Sequence, residues 1–148
     1  MAADRSFTNL GTATVGDLNQ AWEDRLRDAD ALLAAERFPS AVAMAVYSLE
    51  IRLKVRICQR LDVLSLPKAF EMHDLAGLLI LSGLSQRLSA AEADPIKRNW
   101  VKITQTANLV TDRRYQSNNA LGRQDAELFF AQLRDPSSGV LPWISNQS

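Results

Sequence analysis

The side chains with the most chemistry in this chain are an acid, a base and an imidazole: Glu50 and Lys54 in FPSAVAMAVYSLEIRLKVRICQRL, and His73 in EMHDLAGLL. Glu50 and Lys54 stand four apart, the spacing at which helical side chains meet as an ion pair. At about 100° per residue, Val42, Val46, Leu49, Leu53 and Ile57 make one apolar face, and Met44, Tyr47, Ile51, Val55 and Cys58 extend it around the cylinder. Glu50 and Lys54 fall inside that arc, which leaves Ser48, Arg52 and Gln59, with Arg56 at the border, as a narrow exposed wedge. A helix apolar almost all round belongs in the middle of a bundle, where a lone charge is costly. The pair is therefore either an internal ionic staple or the floor of a polar site.

His73 precedes an apolar helix, where a His-Asp pair with Asp74 suits the free N–H groups of the first turn. The other reading is a polar site shared with the central helix, because an imidazole can switch charge near neutral pH or pass a proton. A third segment, Asp112-Arg113-Arg114-Tyr115, ends a long helix. Arg114 follows the face of Trp100 and Val110 and points inward, whereas Arg113 points out. An inward arginine calls for a carboxylate or phosphate, and Glu50 is the candidate partner.

Other chemistries find no residues. One histidine and one cysteine, Cys58, cannot build a metal set, and no cofactor is implied. No glycine-rich phosphate loop or nucleophile elbow is present. The carboxylates Glu23, Asp24, Asp28 and Asp30 lie on the solvated side of the first helix. The stripe Arg52, Arg56, Gln59 and Arg60 is either a wet face or a phosphate contact.

The elements that position these residues are helical. A chain of 148 residues, nearly half apolar and poor in Gly and Pro, forms one domain with a self-sufficient core. Its net charge of zero supplies no global field for nucleic acid. With no signal peptide in MAADRSFTNL, no membrane-spanning run and no disulfide framework, the chain reads as soluble and cytoplasmic.

Residues 1–16 read as a flexible leader, residues 17–135 as the helical domain and residues 136–148 as a tail. Within the domain, Asp17 is the predicted N-cap of a first helix reaching Phe38, with Leu18, Trp22, Leu26, Ala29, Leu32 and Leu33 inward. Pro39 opens the central helix, and the two form an antiparallel hairpin. A loop then leads to LAGLLILSGL, and a polar connection from Ser85 with room for one helical turn leads to a helix from Pro95. RQDAELFFAQLR is the final helix, and Leu141, Trp143 and Ile144 of the tail pack back or touch a neighbour.

ALLAAERFPSAVAMAVYSLEIRLKVRI, then HDLAGLL, then a long helix ending in RRYQ, then DAELFFAQL together resemble the HEPN domains of prokaryotes, over roughly residues 21–134. The resemblance implies an all-α, up-and-down four-helix bundle with an additional short helix. It also implies a homodimer working beside a nucleotidyltransferase or in a toxin–antitoxin, defence or RNA-processing system. HEPN ribonucleases carry an arginine and, four to six residues later, a histidine near the end of the fourth helix. Here QSNNALGRQDAELFF follows Arg113 and Arg114 without a histidine. The expected reading is thus a non-catalytic binding or accessory module in which Glu50, Lys54, His73, Arg113, Arg114 and Tyr115 line a groove for RNA, a nucleotide or a protein segment. Two alternatives stand beside it: a metal-independent ribonuclease with a displaced site at His73 and Arg114, and a structural protein-interaction domain.

Overall fold

The computed structural model describes residues 13–112 and 121–147. Its α-helices are α1 (Val15–Ala34), α2 (Phe38–Leu61), α3 (Leu75–Leu81), α4 (Ser85–Leu88), α5 (Asp94–Asp112), α6 (Arg123–Arg134) and α7 (Val140–Ser145). Short 3-10 turns at Lys68–Phe70 and Ala91–Ala93 join them, and the described residues contain no strand.

α1 begins earlier than the sequence spacing predicts. Thr14, not Asp17, is the N-cap: Thr14 Oγ1 accepts from the Asp17 amide at 3.1 Å, and the Thr14 amide donates to Asp17 Oδ2 at 3.2 Å. This reciprocal capping box satisfies two donors that a bare helix start leaves open. An isolated antiparallel bridge between Thr14 and Ser65 fixes the entry, with the Val15 amide on the Leu64 carbonyl at 2.9 Å. At the other end α1 stops at Ala34, short of Phe38, because Glu36 turns the chain through φ 62°. Pro39 lies in the first turn of α2, where no hydrogen bond is lost.

α2 is the axis of the molecule. Ala41, Val42, Ala45, Leu49, Leu53 and Ile57 are fully buried in one core with Leu78, Ile103, Phe129 and Leu133. The expected exposed wedge is open only at its C-terminal end: Gln59 is exposed, but Ser48 is 0% and Arg52 is 9% accessible. α1 lies on this face. Ser48 Oγ donates to the Trp22 carbonyl at 2.8 Å, and the Arg52 guanidinium sits 5.8 Å from the centre of the Trp22 ring. A small hydroxyl that finds a backbone acceptor lets the two helices approach without an unmet polar group. Tyr47, expected inside, is 49% exposed.

The remaining helices close around α2. Asp74 caps α3, accepting from the Gly77 amide at 3.1 Å. Gly83, at φ +79°, turns the chain out of α3, and Arg60 covers it by donating to the Leu81 carbonyl at 2.8 Å. Arg60, the last residue of the basic stripe, thus ends the carbonyls of α3. α5 starts at Asp94, one residue before Pro95, and buries Ile96, Trp100, Ile103 and Ala107. α6 spans Arg123–Arg134, and Arg134 Nη1 bonds Asp30 Oδ2 of α1 at 2.9 Å. Asp135 Oδ1 accepts from the amides of Ser137 and Ser138. The amide of Gly139 meets the Asp135 carbonyl at 2.7 Å, and a Cβ at Gly139 would lie 2.5 Å from backbone. That tight turn folds α7 back, so Val140, Leu141 and Ile144 are buried and Trp143 is half-buried against the core.

Candidate functional site

The site grows from Glu50. The α2 helix is rigidly placed by its buried flanks, so Glu50 projects between α2 and α5 with its side chain 9% exposed. Its partner is His73: Nδ1 lies 3.0 Å from Oε2. His73 comes from the turn before α3, which Asp74 holds in place by capping the helix. The His-Asp pair therefore divides its tasks, Asp74 satisfying the α3 terminus and His73 reaching the acid on the central helix.

Burial raises the Glu50 pKa, and the His73 hydrogen bond, the His73 charge and the Lys54 charge oppose that rise without cancelling it. Lys54 is also buried, 8% accessible, yet no ion pair or hydrogen bond joins it to Glu50 among the described residues. The spacing that permits a Glu50–Lys54 bridge does not produce one, because the carboxylate turns instead to His73.

Two cavities meet at this acid. One, of about 140 Å³, is walled by Glu50, His73, Asp74, Thr104 and Asn108. The other, of about 120 Å³, lies on the side of Ala43, Val46, Tyr47 and Val110. Val46, Glu50, Ala107 and Thr111 line both, so together they form one groove between α2 and α5. Lys54 lines neither cavity. Arg113, Arg114 and Tyr115, the other sequence candidates, lie outside the described residues.

The sequence reading missed Thr104, Asn108 and Thr111. These positions follow one side of α5 at helical spacing, next to the buried Ala107. Threonine and asparagine bordering an apolar stripe read as ordinary wet-face residues, and only the position of α2 turns them into a wall. Thr104 Oγ1 and Thr111 Oγ1 donate to the carbonyls of Val101 and Ala107, at 2.8 and 3.0 Å. Their oxygens thus remain acceptors toward the groove.

The described residues contain no group of three or more metal-ligating side chains and no helix long and apolar enough to cross a membrane. The fold is all-helical, with a small acid-floored groove beside its central helix. No family model, curated protein or solved structure matches the chain.

Proposed function

We propose that this chain is a HEPN-like helical binding module whose ligand enters the groove between α2 and α5. One observation carries the reading: a carboxylate with its side chain 9% exposed lies where two cavities meet. A purely structural ion pair has no need of adjoining open space, whereas a recognition group needs both desolvation and access. In this reading the module acts without cleaving RNA. It works in the cytoplasm of a prokaryote, next to a nucleotidyltransferase or within a toxin–antitoxin or defence system.

The same proposal includes a homodimer. Ile80 of α3 is 62% exposed, and Val101 and Leu109 of α5 are 44% and 40% exposed. These apolar side chains give α3 and α5 spare hydrophobic area for a second copy. Light scattering is expected to give twice the chain mass at micromolar concentration, and Ile80→Glu with Leu109→Glu is expected to halve it.

The groove is tested by NMR titration with a mixture of cationic, anionic and neutral fragments. Amide shifts confined to residues along the groove, lost in Thr111→Trp, are expected. A groove silent to every fragment would remove the reading. Metal-free incubation with structured and unstructured RNA is run beside it, and no cleavage is expected. Cleavage that disappears in His73→Ala or Arg114→Ala would establish the ribonuclease instead.

A further inference from the structure

The two chambers at Glu50 differ in character. The larger carries the carboxyl groups of Glu50 and Asp74 with the amide of Asn108, and the smaller is mostly aliphatic and aromatic. Among the described residues, no lysine or arginine lines either one. Lys54 acts on Glu50 from one helical turn away but lines neither chamber, so among the described residues two carboxylates face a phosphate or carboxylate ligand there and a desolvated anion finds few strong donors. A cation meets the opposite situation. Glu50 Oε2 is held by His73, while Oε1 has no hydrogen-bond partner among the described residues and remains an acceptor.

The apolar chamber restricts the cation further. A bare inorganic ion gains nothing from a wall of Val46, Tyr47 and Val110, whereas an alkyl chain buries its surface there. The two chambers adjoin at Glu50 and share Val46, Ala107 and Thr111, so a chain of a few methylenes runs from the acid onto the apolar wall. Resting on the reading of the groove as a binding site, we infer that its ligand is a primary ammonium group on a short alkyl chain. The head sits on Glu50 near Asp74, and the methylenes lie along Val46, Tyr47 and Val110. A small free amine and the lysine side chain of another protein share this chemistry.

Glu50 has charged neighbours on two elements. His73 and Asp74 face it from the start of α3, Lys54 stands one turn along α2, and the α5 wall of Thr104, Asn108 and Thr111 carries no charge. An entering ammonium offsets the desolvation that raises the Glu50 pKa, so binding favours the ionised carboxylate and tightens as pH rises through the range in which Glu50 loses its proton.

The test is titration of the labelled full chain with n-butylamine, butyrate, inorganic phosphate and a lysine capped at both ends, in wild type, Glu50→Gln and Thr111→Trp. Butylammonium is expected to shift the amides of Glu50, Asn108 and Thr111, with affinity weakened about tenfold or more in Glu50→Gln. Thr111→Trp, at an exposed position, blocks the mouth without touching the buried acid and gives the same loss should Glu50→Gln not fold. Capped lysine binding as well as butylamine identifies a partner protein's side chain as the source. Exclusion of capped lysine with butylamine retained identifies a free amine. Butyrate or phosphate binding in the groove while butylamine does not overturns the ammonium assignment and leaves the binding module standing, as does equal butylamine affinity in a folded Glu50→Gln chain. Silence toward all four probes overturns both.

Discussion

His73 Nδ1 and Glu50 Oε2 lie 3.0 Å apart although the His73 side chain is 79% exposed and the Glu50 side chain only 9%. The bond thus joins a solvated imidazole to a carboxyl that burial holds above the usual carboxylate range. A carboxyl whose pKa is higher folded than unfolded makes the folded state bind more protons over the interval between the two values. Stability attributable to Glu50 is therefore unaffected below the ordinary carboxylate range and declines as pH rises through the folded value. Glu50→Gln is expected to flatten that decline and to leave the chain at neutral pH as stable as wild type or about 1 kcal/mol more stable. Urea melts of both chains from pH 4 to pH 8 measure it, and a wild type whose stability rises over that range relative to Glu50→Gln would contradict it.

The same bond predicts coupling. His73→Ala alone removes the partner of a buried acid and is expected to cost about 1 kcal/mol at neutral pH, where hydrogen bonds to charged groups are worth most. In a Glu50→Gln background the cost should shrink to a few tenths, since no buried charge is left uncompensated. Equal costs in the two backgrounds, read from a double-mutant cycle, would show that the contact contributes nothing to the folded state.

Arg52 is buried without a carboxylate. Its Nη1 atom is inaccessible and has no hydrogen-bond partner among the described residues, and burial and the neighbouring charge of Arg56 both lower its pKa. What holds it is packing against Trp22, through the face of the ring and the aliphatic stem. Arg52→Met retains the stem's volume and removes the desolvated charge, so its stability is expected to match or exceed wild type by about 1 kcal/mol. Arg52→Ala leaves a void under Trp22 and is expected to cost about 2 kcal/mol. Thermal melts that rank methionine with alanine would mean that the charge, not the packing, is what this position needs.

The helices were legible because their signals are local. Pro39 at the start of α2, Asp74 before α3 and the periodic run that becomes α6 each determine a boundary through a residue's own backbone preference or cap. Burial was less legible because it depends on what lies opposite. Ser48 and Arg52 read as wet from polarity alone, yet α1 covers them, and Tyr47 read as buried yet borders the groove. For the site, the spacing of Glu50 and Lys54 marked the right helix turn and the wrong partner. His73, twenty-three positions away from Glu50, is brought in by the α3 cap. Thr104, Asn108 and Thr111 carried no signal of their own, because a groove wall is defined by the helix across from it.

Ser48 tests how closely α1 and α2 are packed. It is fully inaccessible and its hydroxyl donates to the Trp22 carbonyl at 2.8 Å. Ser48→Ala keeps the size and leaves a carbonyl that already serves the helix ladder, so a loss of at most about 1 kcal/mol is expected. Ser48→Leu forces the helices apart and is expected to cost about 2 kcal/mol or more. Chemical denaturation that finds leucine tolerated as well as alanine would show that the interface yields.

Gly83 and Arg60 supply the last prediction. Gly83 adopts φ +79°, and a Cβ there would lie 3.1 Å from Arg60 Cδ and Nε. Gly83→Ala thus carries two penalties: the left-handed backbone, about 1 kcal/mol for a residue with a Cβ, and displacement of Arg60 from the Leu81 carbonyl it serves at 2.8 Å. Arg60→Ala alone gives up that hydrogen bond at the C-terminal end of α3 and is expected to cost about 1 kcal/mol. In the double variant the side chain that the added methyl group would displace is already gone, so only the backbone penalty is added to the loss of Arg60. The combined cost should therefore fall below the sum of the two single costs. Strict additivity in denaturant melts would show that Arg60 moves aside freely and that the backbone angle alone requires glycine.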